Sequence, residues 1–146
     1  MTGRDGIRLG DHWADGTRTL HGIHVHGFPN LFLVQHSQDA YLLSTIPHNP
    51  SEPARAVTAV VRHLPEGGHR EVEATGEAVG SCLDLLTSGA GRRGRAADCT
   101  PGYYNSEGRD PGPGRLAVGH PDGPSVFFAL LERWHTSGSF DGLEFC

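Results

Sequence analysis

One stretch constrains this chain more than any other: Gly27-Phe28-Pro29-Asn30, followed by Leu31-Phe32-Leu33-Val34. Gly and Pro punctuate the backbone, and Asn tolerates turn conformations. Leu31 to Val34 has no alternating polar residue, so it reads as a strand buried on both faces. Such a strand needs neighbours on both sides. Yet the remaining strand signals are few and short, and three or four strands of three to five residues do not make an independent α/β core. Hydrophobic residues make up 36% of the 146 positions, and 21 positions are Gly. The core is therefore expected to be thin, and the runs at 31–34 and 126–134 look made to pack on something more.

The segments read in order as follows. Residues 1–19 form an extended lead-in anchored by Trp13. Residues 20–26 alternate, with Ile23 and Val25 on one strand face and His24 and His26 on the other, so this strand would form a ribbon with 31–34. A helix runs from about residue 50 to 64, with Asn49 or Ser51 as its cap and Ala54, Val57, Val60, Val61 and Leu64 as its apolar face. A short strand or turn covers 70–75, and a second helix spans 77–88. Gly/Arg and Pro/Gly loops surround two short strands, near Tyr103-Tyr104 and at 115–118. The clearest helix starts at Ser125 and ends near Thr136, with Phe127, Phe128, Leu130, Leu131 and Trp134 as its stripe.

Composition excludes some functions. The net charge is −5 with no basic face, so the footprint of a nucleic-acid binder is absent. No apolar run approaches the roughly 20 residues of a membrane span. Residues 1–10 carry charges and lack the apolar centre of a secretory signal. Cys82, Cys99 and Cys146 form no C-x-x-C pair, which suits a reduced, cytoplasmic chain. His24 and His26 on one strand face offer two zinc ligands, but no third ligand stands at a motif spacing. A polar strand face in a chain with ten histidines accounts for them more simply. There is no G-x-S-x-G elbow. Gly89-Ala90-Gly91 follows a helix rather than a strand, so the dinucleotide fingerprint lacks its context. Read without analogy, the chain is an α/β piece with a polar loop after a buried strand, where α/β sheets place ligands.

Two arrays carry a resemblance. The first is Leu20-His21-Gly22-Ile23, Gly27-Phe28-Pro29-Asn30-Leu31-Phe32 and Pro47-His48-Asn49. The second is Cys99-Thr100-Pro101-Gly102-Tyr103-Tyr104-Asn105 with Glu107-Gly108, and the ending from Leu130 to Phe145. Together, over roughly 6–146, they resemble the C-terminal third of Baeyer–Villiger-type (class B) flavin-containing monooxygenases. The resemblance implies a partial α/β fold: the C-terminal piece of a flavoprotein with two dinucleotide-binding domains, short strands and about three helices. It divides the chain into the lead-in 1–19; the last strand, flavin-side loop and helix of an FAD-binding domain at 20–64; and a C-terminal α+β extension at 65–146. Full-length members use FAD and NADPH to insert oxygen beside a ketone carbonyl. The cofactor-side positions implied here are Gln35, Gln38, Ala40, Leu43, Ser44 and Thr45. The family's central His/Trp signature and its catalytic Arg belong upstream of this sequence, so no catalytic residue is expected and neither cofactor is expected to bind tightly to this chain alone. Its expected partner is a separately encoded N-terminal part that binds FAD and NADPH. The loop also departs from the family pattern, with Asp39 in place of a usual Gly and Tyr41 and Thr45 in place of Asn. A carboxylate beside a flavin disfavours its anionic reduced form. These departures leave a small His-based metal module and a non-functional remnant as alternatives.

Overall fold

A computed structural model describes residues 1–34, 48–90, 100 and 119–146. Its elements are α1 (Leu9–His12), α2 (His48–Glu66), β1 (Val72–Ala74), α3 (Gly76–Ala90), α4 (Pro124–Ser137) and β2 (Leu143–Phe145). A single 3-10 turn at Arg4–Gly6 precedes them.

The three long helices fall where the periodicity places them, and local chemistry fixes their ends. Thr75 caps α3: its Oγ1 accepts from the Ala78 N–H at 3.1 Å, supplying one of the first-turn donors with a partner. The cap of α4 is Gly123 rather than the expected Ser125. Pro124 takes the first helical position, where its fixed φ is suited and its missing N–H costs nothing. Gly138 closes α4 in the left-handed conformation (φ 70°). The inward face of α2 is turned from the one expected. Pro53, Ala56 and Val60 are buried, while Ala54 and Val61 are exposed. A buried Pro at 53 and a buried Glu52, held by Arg55 at 2.7 Å, were not counted as inward residues.

The core joins α2 to α4. Ala56 and Val60 meet Phe127, Leu131, Trp134, Ile23, Val72 and Phe140. The run at 126–134 therefore packs within the chain, through one helical face, and only Val126 of that helix is a strongly exposed large apolar residue. A smaller cluster, Leu20, Ala74 and Val79, sits under α3. β1 and β2 pair antiparallel, with Val72 opposite Phe145 and Ala74 opposite Leu143.

Three expectations about the first 34 residues are corrected. Residues 20–26 are not a strand. His21 (φ 55°) and Gly22 (φ 72°) are both left-handed, which reverses the chain so that Leu20 bridges His24. Two consecutive left-handed residues cannot continue a pleated strand. The ribbon to 31–34 shrinks to one bridge, His24 to Phe32, and a bond from the Leu33 N–H to the Ile23 carbonyl at 2.8 Å. Leu31, Phe32 and Leu33 are half-buried and Val34 is 46% exposed, so among the described residues the run is not covered on both faces. The lead-in is not extended throughout either, since it folds into the turn at Arg4–Gly6 and the helical turn α1.

Candidate functional site

The Gly27–Asn30 turn is held to β1 by several hydrogen bonds. β2 uses one edge of β1. On the other edge the Val72 N–H and C=O and the Ala74 C=O would lack strand partners. The turn supplies them. Asn30 adopts φ 58°; its N–H donates to the Val72 carbonyl at 2.9 Å and its Oδ1 accepts from the Val72 N–H at 3.1 Å. Its Nδ2 donates to the Arg70 carbonyl at 3.1 Å. His26 Nδ1 lies 2.9 Å from the Ala74 carbonyl, so that ring carries its proton on Nδ1. One Asn thus serves as a third strand for β1, and the turn that precedes 31–34 is fastened to the sheet. The motif marked a turn; that its Asn would complete a sheet 42 residues away was not legible in the sequence.

The histidines take other roles than the one weighed from alternation. His24 is 1% exposed and packs edge-on against Phe32 at 5.4 Å, with Trp134 at 5.8 Å. His26 is exposed and bonds to β1. One ring is buried and the other exposed, so the two do not present a common face. Among the described residues no three His, Cys, Asp or Glu side chains are gathered as a metal site would require. Burial lowers His24 to a pKa of about 3, with His21 adding to the effect, and burial lowers His21 to about 4, with His120 adding. Both rings are neutral at pH 7. His21 stands edge-on to Trp134, a residue of the α4 stripe, at 5.4 Å.

An open apolar hollow of about 420 Å³ lies between α3 and α4, lined among others by Leu20, His21, Cys82, Leu86, Phe127 and Trp134. Burial raises the Cys82 thiol, which keeps it protonated and unreactive. Cys82 and Cys146 are free. The cofactor-side positions Gln35, Gln38, Ala40, Leu43, Ser44 and Thr45 lie outside the described residues, as do Cys99, Tyr103-Tyr104 and the strand expected at 115–118. Gly89 and Ala90 fall in the last turn of α3, which is the wrong end of a helix for a phosphate.

Comparison with known proteins decides the family. No family model matches the chain. Pentalenolactone D synthase of Streptomyces exfoliatus is 38% identical over 154 residues, which cover 99% of this chain and 25% of that protein. A Baeyer-Villiger monooxygenase of Streptomyces coelicolor is 40% identical over 137 residues, 92% of this chain and 22% of that protein. Among solved structures, the polycyclic ketone monooxygenase of Thermothelomyces thermophila superposes with a TM-score of 0.79 at 30% identity, over 99% of this chain and 24% of that one. The chain corresponds to the C-terminal part of a Baeyer–Villiger-type flavin monooxygenase. It spans about a quarter of the length of the curated relatives it matches. A steroid monooxygenase bound to NADP shares the fold, with a TM-score of 0.80 at 23% identity over 99% of this chain and 25% of that one. Among the described residues the mixed fold, three long helices and a two-stranded sheet, matches one part of these larger monooxygenases. No helix among the described residues is long and apolar enough to cross a membrane.

Proposed function

We propose that this chain supplies the C-terminal part of an FAD- and NADPH-dependent monooxygenase that inserts an oxygen atom next to a ketone carbonyl, and that it does not catalyse alone. One observation carries this reading. The match runs over 99% of the chain but only about a quarter of each relative, and several of these relatives are monooxygenases by name. In the family the chemistry belongs to the cofactor: flavin, reduced by nicotinamide, activates oxygen. This chain's own task is to position. Residues 20–64 form the flavin-facing unit, residues 65–146 a covering extension, and residues 1–19 the connection to what precedes. Gln35, Gln38, Ala40, Leu43, Ser44 and Thr45 flank the flavin on the loop that follows Val34. The partner is the N-terminal part with both nucleotide sites, either joined to this chain or separately encoded, in the cytoplasm. Apolar side chains left exposed here, Val34 and Val61, suit contact with such a part.

The test is reconstitution. The chain is co-produced with the N-terminal three-quarters of the Streptomyces coelicolor relative, and bound flavin, NADPH consumption and conversion of cyclic ketones to lactones are measured. Retained flavin with ketone-dependent NADPH oxidation, seen only with both parts present, is the expected result. Ketone oxidation by the chain alone would refute its inactivity. A relative's N-terminal part that performs equally well without the chain would refute the positioning role.

A further inference from the structure

We propose that residues 1–8 form a strap that holds the Gly27–Asn30 turn to β1, and that Glu73 is the positioning residue that fastens it. The consequence for oxygenation rests on the reading of the loop after Val34 as the flavin-side loop.

The strap is folded on itself. The Gly3 N–H donates to the Ile7 carbonyl at 2.9 Å, the Leu9 N–H donates to the Met1 carbonyl at 3.1 Å, and Thr2 bridges Arg8. It meets the turn backbone against backbone. The Arg4 N–H donates to the Gly27 carbonyl at 2.8 Å. A Cβ on Gly3 would stand 2.3 Å from that carbonyl oxygen and 2.8 Å from the Phe28 ring, so only Gly permits the approach. Phe28 is 2% exposed, and the His12 ring lies 5.3 Å from it.

Glu73 ties strap, turn and sheet together. Its Oε2 accepts from the Gly27 N–H at 3.0 Å and its Oε1 from Arg4 Nε at 2.6 Å. Arg4 Nη2 reaches Glu71 at 2.9 Å. Glu73 sits between the buried Val72 and Ala74, so strand alternation points it away from the core. On that side a carboxylate would ordinarily stand in water, yet its side chain is only 12% exposed. Both backbone polar groups of Gly27 are thus engaged, one by the strap and one by the strand. The turn opens directly into 31–34, so its placement sets where the following loop begins. Hydrogen bonds between a shielded carboxylate, a guanidinium and a backbone N–H are the strong kind and fix direction as well as distance.

Two variants test the strap, Glu73→Gln and Gly3→Ala. In the 146-residue chain, amide exchange at Gly27, Asn30 and Leu33 is expected to quicken by about tenfold or more, with amides of α2 and α4 unchanged. Unchanged exchange at those three positions, or an equal rise throughout α4, overturns the proposal. In the reconstituted enzyme, Glu73→Gln is expected to lower the share of NADPH consumption recovered as lactone while bound flavin stays the same, and Glu73→Asp is expected to restore part of it. If the wild-type chain reconstitutes activity and Glu73→Gln is equally well coupled, the positioning role is wrong. If the wild-type chain reconstitutes nothing, the monooxygenase reading fails instead, and amide exchange alone decides the strap.

Discussion

Replacing Asn30 with Ala is the sharpest test of how the turn is built. The change removes the acceptor of the Val72 N–H and the donor to the Arg70 carbonyl, both at 3.1 Å. Val72 is 2% exposed, so its orphaned N–H has no ready access to water. Losing the two side-chain hydrogen bonds costs about 1 kcal/mol each, and the desolvated N–H pushes the first toward the upper end of the range. Ala must also hold φ 58°, which costs an ordinary L-residue roughly 1 kcal/mol more than Asn. The sum is about 3 kcal/mol. Asn30→Gly separates the two parts, because Gly adopts the left-handed conformation freely and loses only the side-chain bonds, for about 2 kcal/mol. Urea unfolding followed by far-UV circular dichroism reads both variants, as a drop in midpoint at constant slope. If Asn30→Ala costs under about 0.5 kcal/mol, as an ordinary surface change does, Asn30 is not completing the edge of β1. If Asn30→Gly is as costly as Asn30→Ala, the backbone part of the reasoning is wrong.

Three further outcomes follow from the packing. His21 and His24 are held neutral in the folded chain, with pKa values of about 4 and about 3 against an ordinary 6.5. The unfolded chain takes up their protons first, so stability is full above about pH 6.5 and falls as pH drops toward those values, by roughly 3 kcal/mol per ring at pH 4. His24→Phe should flatten the pH dependence of the urea midpoint, and a profile with the wild-type slope would show that His24 is not held neutral by burial. Leu131 is fully buried between α2 and α4, so Leu131→Ala should cost about 3 kcal/mol, and a loss below 1 kcal/mol would mean the two helices are not packed through it. Gly142 has φ 88° and its Cβ would stand 2.7 Å from the Ala78 Cβ, so Gly142→Ala should lower the melting temperature by several degrees, reflecting a cost of about 2 kcal/mol.

Periodicity and punctuation sufficed for the three long helices, because an apolar stripe with Pro and Gly at its ends is a local signal that a helix satisfies within itself. The same sequence carried the family, since Gly-Phe-Pro-Asn-Leu-Phe and the later arrays stand in the family's order. Local pattern failed where the answer depended on distant partners. Alternation at 20–26 suggests a strand, but the left-handed His21 and Gly22 reverse the chain, and Ile23, His24 and Val25 are all buried. Hydrophobicity alone points α2's Ala54 and Val61 inward, whereas the fold buries Pro53 and Ala56 and leaves Ala54 and Val61 exposed. That Asn30 would serve as a strand for β1, and that Glu73 would bind Arg4 and Gly27, could not be inferred from spacing, since these contacts join residues 40 to 69 positions apart. The sequence by itself determined where helices form and which family the chain resembles, because both are written in short-range order. Only the tertiary structure decided which polar groups close the sheet edge and which face each helix buries, because an unpaired N–H takes whatever acceptor the fold brings to it.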